Sequence, residues 1–199
     1  GLSWPFFAPV PGLLGAAGED VLPILDDDKS EPLDLDKLTA FLEADVNPQR
    51  VIVDSTASEE VASYYERWLE AGISVICPSK VVASGPIARY DAVAAKARKN
   101  SGAKWQYESS VGAALPVLTT LQDLISTGDE VKEITGCLSG TMAYTLRTQA
   151  KDKTFTEAFL EAHLKGYTEP DVREDLSGID MARKVVILAR ELGIRLEVD

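Results

Sequence analysis

The chain has 199 residues, 45% hydrophobic, 26% charged and 7% aromatic, and its 20 Lys+Arg against 32 Asp+Glu give a net charge of −12. That composition excludes collagen-like, low-complexity and wholly disordered chains, and leaves room for one large domain or two small ones with real cores. The acidic balance argues against a non-specific binder of phosphate backbones, and no apolar run approaches the ~18 residues of a membrane span.

Residues 1–50 hold ten acids and three bases, a net −7. The opening, Gly1 to Phe7, is apolar but lacks the basic run of a secretory signal. Residues 1–19 read as irregular, and a start at Gly1 in place of Met suggests a fragment. Gly12-Leu-Leu-Gly15-Ala-Ala-Gly18 is glycine-rich, yet no buried strand precedes it, so it reads as a loop and not as a phosphate cradle. The first helix is expected over Leu35 to Ala44, capped by Asp34.

From residue 51 the pattern is regular. Val51-Ile52-Val53-Asp54 is a short apolar run of the kind buried on both faces of a parallel sheet. Apolar residues at helical spacing run from Glu59 to Ala71, Gly72 stops them, and Ile73 to Cys77 is the next buried strand. Pro86 to Asn100 is helical and Lys104 to Glu108 is a third strand, so strands and helices alternate as in right-handed βαβ units. Beyond residue 110, a helix from Pro116 to about Ile125 precedes an alternating, half-exposed strand over Glu130 to Cys137. Helices over Thr141–Ala150, Thr154–Lys165 and Gly178–Leu192 complete a second, α+β layer on an α/β first half. The expected domains are 1–110 and 111–199.

Cys77 and Cys137 form neither a disulfide framework nor a metal pair and read as reduced, buried thiols in a reducing compartment. A single histidine, His163, excludes a multi-histidine zinc site and leaves lysine and carboxylates as acid–base candidates. Lys80 follows the end of a strand, where ligands of parallel sheets bind, although a solvated surface lysine is the commoner case. Between Glu169 and Asp180 five carboxylates fall within twelve residues, in an expected loop leading into a helix that also carries Lys184. Asp180 and Lys184 share one helical face. They read either as an exposed ion pair or as part of a pocket in which carboxylates hold an ammonium and a partly desolvated lysine delivers a proton to an alkoxide. The Glu108–Pro116 segment is either a tight crossover or a set of carbonyls and one carboxylate able to hold a hard cation.

At these residues the chain resembles homoserine dehydrogenase, particularly the dehydrogenase part of bifunctional aspartokinase–homoserine dehydrogenases, and reads as a fragment of it. The resemblance rests on Val51–Thr56, Val75–Lys80, Glu108–Pro116, Ser126–Glu130, Leu138–Thr141, Gly166–Asp171 and Glu174–Lys184, in that order. It implies an incomplete Rossmann-like sheet, without the family's first βα unit and Gly-rich loop, beside a catalytic and dimerisation layer. It also implies interconversion of L-aspartate 4-semialdehyde and L-homoserine with NADP or NAD. Carried across by motif, Thr56, Lys80 and Gly166 would line the cofactor, Glu169, Asp175 and Asp180 would hold substrate, and Lys184 would move the proton. Glu108 and the carbonyls of Val111, Ala113 and Leu115 would hold a sodium-like ion. The chain departs from the family at Ser79-Lys80-Val81, where Asn and Lys-Lys are usual, and at Ala114, where Gly is usual. A homodimer in the cytoplasm or plastid stroma, binding neither nucleic acid nor membrane, is the accompanying expectation. The alternative is an inactive remnant that only dimerises or regulates.

Overall fold

Three short parallel strands organise what the computed structural model describes, namely residues 33–99, 102–150, 152–168 and 172–198. The readings for residues 1–19, for Gly12–Gly18 and for Glu169 lie outside those residues. By contacts the chain divides into Gly1–Pro48 and Gln49–Asp199. Within the first unit, α1 (Leu35–Ala44) begins as expected: the Asp34 carboxylate accepts the Lys37 N–H at 3.0 Å.

In the second unit, β1 (Arg50–Val53), β2 (Ile73–Ile76) and β3 (Trp105–Gln106) pair in that order, with Ile52 opposite Val75 and Val75 opposite Trp105. The helix expected between β1 and β2 is split into α2 (Glu59–Ser63) and α3 (Tyr65–Glu70). A local competition explains the break. The Ser63 hydroxyl donates to the Glu60 carbonyl, the acceptor Tyr64 would need, and the Tyr64 N–H turns to Val61 instead. Helix α4 (Ile87–Lys99) joins β2 to β3.

Tyr65, Trp68 and Leu69 of α3, Ile73 and Val75 of β2, Val93 of α4 and Trp105 are buried together as the core of this half. Aromatic rings knit it, with Tyr65 and Trp68 stacked at 5.9 Å and Trp105 against Tyr107 at 4.2 Å. The sheet is not buried on both faces, as the apolar run of β1 suggested. Val51 and Val53 are 52% and 67% exposed. The helices that flank β2 in the chain cover the other face, and no described element of this unit covers this one.

The second half is helical among the described residues: a 3₁₀ turn (Glu108–Ser110), α5 (Val117–Ser126), α6 (Gly140–Gln149), α7 (Phe155–Leu164), α8 (Val172–Ser177) and α9 (Ile179–Glu191). The strand expected over Glu130–Cys137 is irregular and mostly exposed. Alternation alone does not make a strand, because its N–H and C=O groups need a neighbouring strand and none is described beside it. Cys137 is accordingly exposed, whereas Cys77 is buried as expected; both are free thiols. The acidic loop before α9 instead contains the helix α8. Thr154 and Glu157 cap α7 reciprocally. Helices α6 and α7 pack together, and the buried Thr141 and Thr145 of one and Ala158 and Ala162 of the other are small enough for close approach.

Helix α5 has a distant cap. Pro116 supplies none, but Glu108 reaches across ten residues: Oε1 accepts the Leu118 N–H at 2.8 Å, and Oε2 accepts the Thr119 N–H at 2.8 Å and its hydroxyl at 2.5 Å. Burial works against the charged carboxylate, but these bonds outweigh it and hold the Glu108 pKa below the ordinary glutamate value. Glu108→Ala is expected to cost about 1–2 kcal/mol in urea unfolding; an unchanged midpoint would remove the cap from the account.

Candidate active site

The carboxyl ends of parallel strands are where such folds bind ligands, and the ends of β1 and β2, like Glu108 after β3, carry an organised polar group. At the end of β1, the Asp54 N–H continues the ladder to the Ile76 carbonyl at 2.9 Å, which locks the residue in place. Its carboxylate is 4% exposed. Oδ1 accepts both the N–H (2.8 Å) and the hydroxyl (2.7 Å) of Thr56, and Oδ2 accepts the Tyr65 hydroxyl at 2.5 Å. Thr56 therefore turns both of its donors inward and offers a ligand only its methyl group and carbonyl. Burial, reinforced by Cys77 and Asp54, pushes the Tyr65 pKa far up, so it stays a neutral donor. Burial likewise raises the Cys77 thiol. Tyr65→Phe should cost about 1.5–3 kcal/mol, the worth of a hydrogen bond to a charged group, in chemical unfolding. A loss no larger than that of an exposed Tyr→Phe change would show the bond is not formed.

At the end of β2, Lys80 opens a turn in which its carbonyl accepts the Ser84 N–H (2.9 Å) and hydroxyl (2.8 Å). That turn directs the Lys80 ammonium to α9, where it lies 3.2 Å from Asp180 Oδ1. Asp180 Oδ2 is 2.6 Å from Lys184 Nζ, and the same ammonium donates to the Leu138 carbonyl at 2.6 Å, just ahead of α6. Three segments far apart in the chain thus meet around the Asp180–Lys184 pair. With side-chain exposures of 27% for Lys80, 30% for Asp180 and 15% for Lys184, this is not a solvated surface pair. Burial alone would raise the Asp180 pKa, but the Lys184 hydrogen bond and the Lys80 charge overcome it and hold it below the usual aspartate value.

Because the folded value is the lower one, the stability from this group is present above the ordinary aspartate pKa of ~3.9 and is lost as pH falls through the depressed value. Asp180→Asn should therefore flatten the decline in thermal stability below about pH 4; a wild-type slope in the variant would contradict the pairing.

Asp175 is half-buried in α8, one short helix before Asp180. Gly166 has a structural task that its motif did not announce. With φ +71° it ends α7, its N–H reaching the His163 carbonyl (2.9 Å) and the Tyr167 N–H reaching Ala162 (3.0 Å). The Thr141 hydroxyl then fastens the Tyr167 carbonyl to α6 at 2.6 Å. The contributions of Leu138, Asp54 and Tyr65 escaped the sequence reading, though an aspartate ending a buried apolar run was a usable signal for Asp54.

Two of the four expected cation donors have partners within the fold. Both Glu108 oxygens cap α5, and the Leu115 carbonyl accepts the Val117 N–H at 2.9 Å. Ala113 sits at φ +53°, and among the described residues no cluster of three His, Cys, Asp or Glu side chains could hold a metal. No step below is routed through a cation. The strand ends do suit a nicotinamide dinucleotide, a polyanion for which a half-exposed ammonium beside parallel strand ends is an apt partner.

Residues 116–199 match the homoserine dehydrogenase family, and residues 14–108 match its NAD-binding domain. The chain belongs to the homoserine dehydrogenase family. It is 47% identical over 171 residues to the chloroplastic bifunctional aspartokinase/homoserine dehydrogenase 1 of Zea mays, covering 85% of this chain and 18% of that protein. It is 38% identical over 172 residues to the homoserine dehydrogenase of Saccharomyces cerevisiae, covering 84% of this chain and 47% of that one. A hyperthermophilic archaeal homoserine dehydrogenase solved in complex with NADPH superposes with a TM-score of 0.68 at 25% identity, covering 84% of this chain and 50% of that structure. The chain thus spans at most about half the length of those relatives. Its α/β class with a parallel sheet agrees with the sequence reading, and so does the NAD(P)-binding character of its first half. No helix among the described residues is long and apolar enough to cross a membrane.

Proposed function

We propose that the protein of which this chain is part interconverts L-aspartate 4-semialdehyde and L-homoserine with NADP or NAD. The supporting observation is the meeting of Lys80, Asp180 and Lys184 beyond the end of β2. The dinucleotide supplies or accepts the hydride. Reduction of the aldehyde leaves an oxygen that must gain a proton, and Lys184 is the group suited to give it: its side chain is 15% exposed and its ammonium is held by Asp180 and the Leu138 carbonyl. Asp180 sets where the Lys184 ammonium stands and balances the two positive charges beside it. Lys80 adds a second positive charge at the strand end, where the cofactor would run. On the resemblance, Thr56 and Gly166 also face the cofactor, and Glu169 and Asp175 join Asp180 in holding the substrate ammonium. Glu169→Gln is then expected to raise KM more than it lowers kcat.

The test is oxidation of NADPH, followed by absorbance, with L-aspartate 4-semialdehyde, for this chain and for a version extended at both ends. Turnover by either supports the reading; turnover by neither favours a remnant that only associates or regulates. We further infer a homodimer formed through the 111–150 region. Residence in a reducing compartment, cytoplasm or plastid stroma, is supported by two free thiols, one of them exposed, and by the chloroplastic names of the plant relatives.

A further inference from the structure

Arg190, in the last turn of α9, follows the apolar run Val186 to Ala189 and is 5% exposed. Its guanidinium meets no carboxylate among the described residues. Nη1 donates to the Ala83 carbonyl (2.9 Å), Nη2 to the carbonyls of Gly85 (2.7 Å) and Leu196 (2.9 Å), and Nε to Leu196 (3.1 Å). Its central carbon lies 5.1 Å from the centre of the Tyr90 ring. Removing a guanidinium from water without a directly paired carboxylate is unfavourable, and burial lowers its pKa although the charges of Glu197 and Asp91 act in the opposite direction. An apolar side chain of similar length would fill the space without that penalty, so the planar set of donors calls for a reason. Two of the three carbonyls it holds supply one.

Ala83 and Gly85 lie in the turn that Lys80 opens. The Ser84 N–H and hydroxyl fold that turn back onto the Lys80 carbonyl, and a Cβ at Gly85 would collide with the Val81 carbonyl, so the turn moves as one piece. Helix α9 therefore grips this turn at both ends. In its first turn Asp180 holds the Lys80 ammonium, and about 15 Å further along, at the ~1.5 Å rise of a helix, Arg190 holds the backbone. One attachment would leave the turn free to pivot; two fix its orientation on the helix that carries Lys184.

We propose that Arg190 is a positioning residue: by clamping the Ala83 and Gly85 carbonyls to α9 it fixes where the Lys80 ammonium stands relative to Asp180 and Lys184. The proposal deepens the dehydrogenase reading and rests on it for its purpose, but its test needs no turnover. Trace acetylation of the full chain, read by mass spectrometry, gives separate reaction rates for Lys80 and Lys184. Arg190→Lys keeps a charge but lacks the planar fork needed to span three carbonyls. It should raise the Lys80 rate about tenfold, the effect of losing one charge-assisted hydrogen bond, and leave Lys184 within about twofold. Ile187→Ala, buried in the same helix, loosens α9 without removing any hydrogen bond of the clamp and should leave the ratio of the two rates at the wild-type value. Should Arg190→Lys fail to fold, Tyr90→Leu removes the ring beside the guanidinium and should move the ratio in the same direction by a smaller factor. Parallel rises at both lysines, or a ratio equal to that of Ile187→Ala, would overturn the proposal. Either result leaves the NADPH assay free to succeed or fail on its own.

Discussion

Lys184→Ala is expected to lower kcat for NADPH-dependent reduction of L-aspartate 4-semialdehyde by about 10²–10⁴, the usual worth of a placed proton donor, with KM little changed. The reason lies in when the charge matters. The aldehyde oxygen carries no charge on binding and develops it only as hydride arrives, so a nearby ammonium contributes mainly in the transition state. Lys184→Arg should not rescue the rate. A guanidinium keeps the charge, but it does not give up a proton in proteins, and its fork cannot occupy the site of a single nitrogen held between Asp180 and the Leu138 carbonyl. Steady-state kinetics of the two variants check this. Equal kcat in Lys184→Ala and wild type would remove Lys184 from the chemistry, and full activity in Lys184→Arg would show that only charge is needed.

Asp180→Asn is expected to lower kcat/KM by about 10²-fold, with both constants affected. The carboxylate stands 3.2 Å from one ammonium and 2.6 Å from another. Its loss leaves two positive charges facing each other with only a carbonyl to hold Lys184. It also removes a negative charge expected to meet the amino group of the substrate, so binding should weaken while the proton donor drifts. Glu161→Gln is the control: Glu161 is held near a pKa of about 2 by hydrogen bonds from Lys153, Lys165 and Tyr144, a network that shares no residue with the Lys80, Asp180 and Lys184 group. That variant should leave kcat/KM at the wild-type value, and a comparable loss in both would mean that Asp180 acts through general stability.

The legible parts of the fold were those decided locally. Val51–Val53 and Ile73–Ile76 are short apolar runs ended by Asp54 or by Cys77 and Pro78, and Asp34 marks a helix start by chemistry that needs no distant partner. Where the outcome depended on a remote group, the sequence was ambiguous or silent. Glu130–Cys137 alternates like a strand but has no described neighbour to pair with. The carboxylate of Glu108 has the composition of a cation ligand, and only the arrival of α5 ten residues later makes it a cap. The i,i+4 spacing of Asp180 and Lys184 was readable, but their burial depends on Lys80 arriving from the end of β2 and on the Leu138 carbonyl. Arg190 carried a fainter signal, a lone cation closing an apolar stretch, and two of the carbonyls it holds lie more than a hundred residues earlier.

A double-mutant cycle on folding stability, with Lys80→Met, Asp180→Asn and both together, reads the convergence of β2 and α9 without turnover, cofactor or substrate. The two changes should fail to add by about 0.5–1 kcal/mol, the scale of a half-exposed ion pair in contact. Additivity within about 0.3 kcal/mol would mean that Lys80 and Asp180 do not meet in solution, and the shared site would not exist.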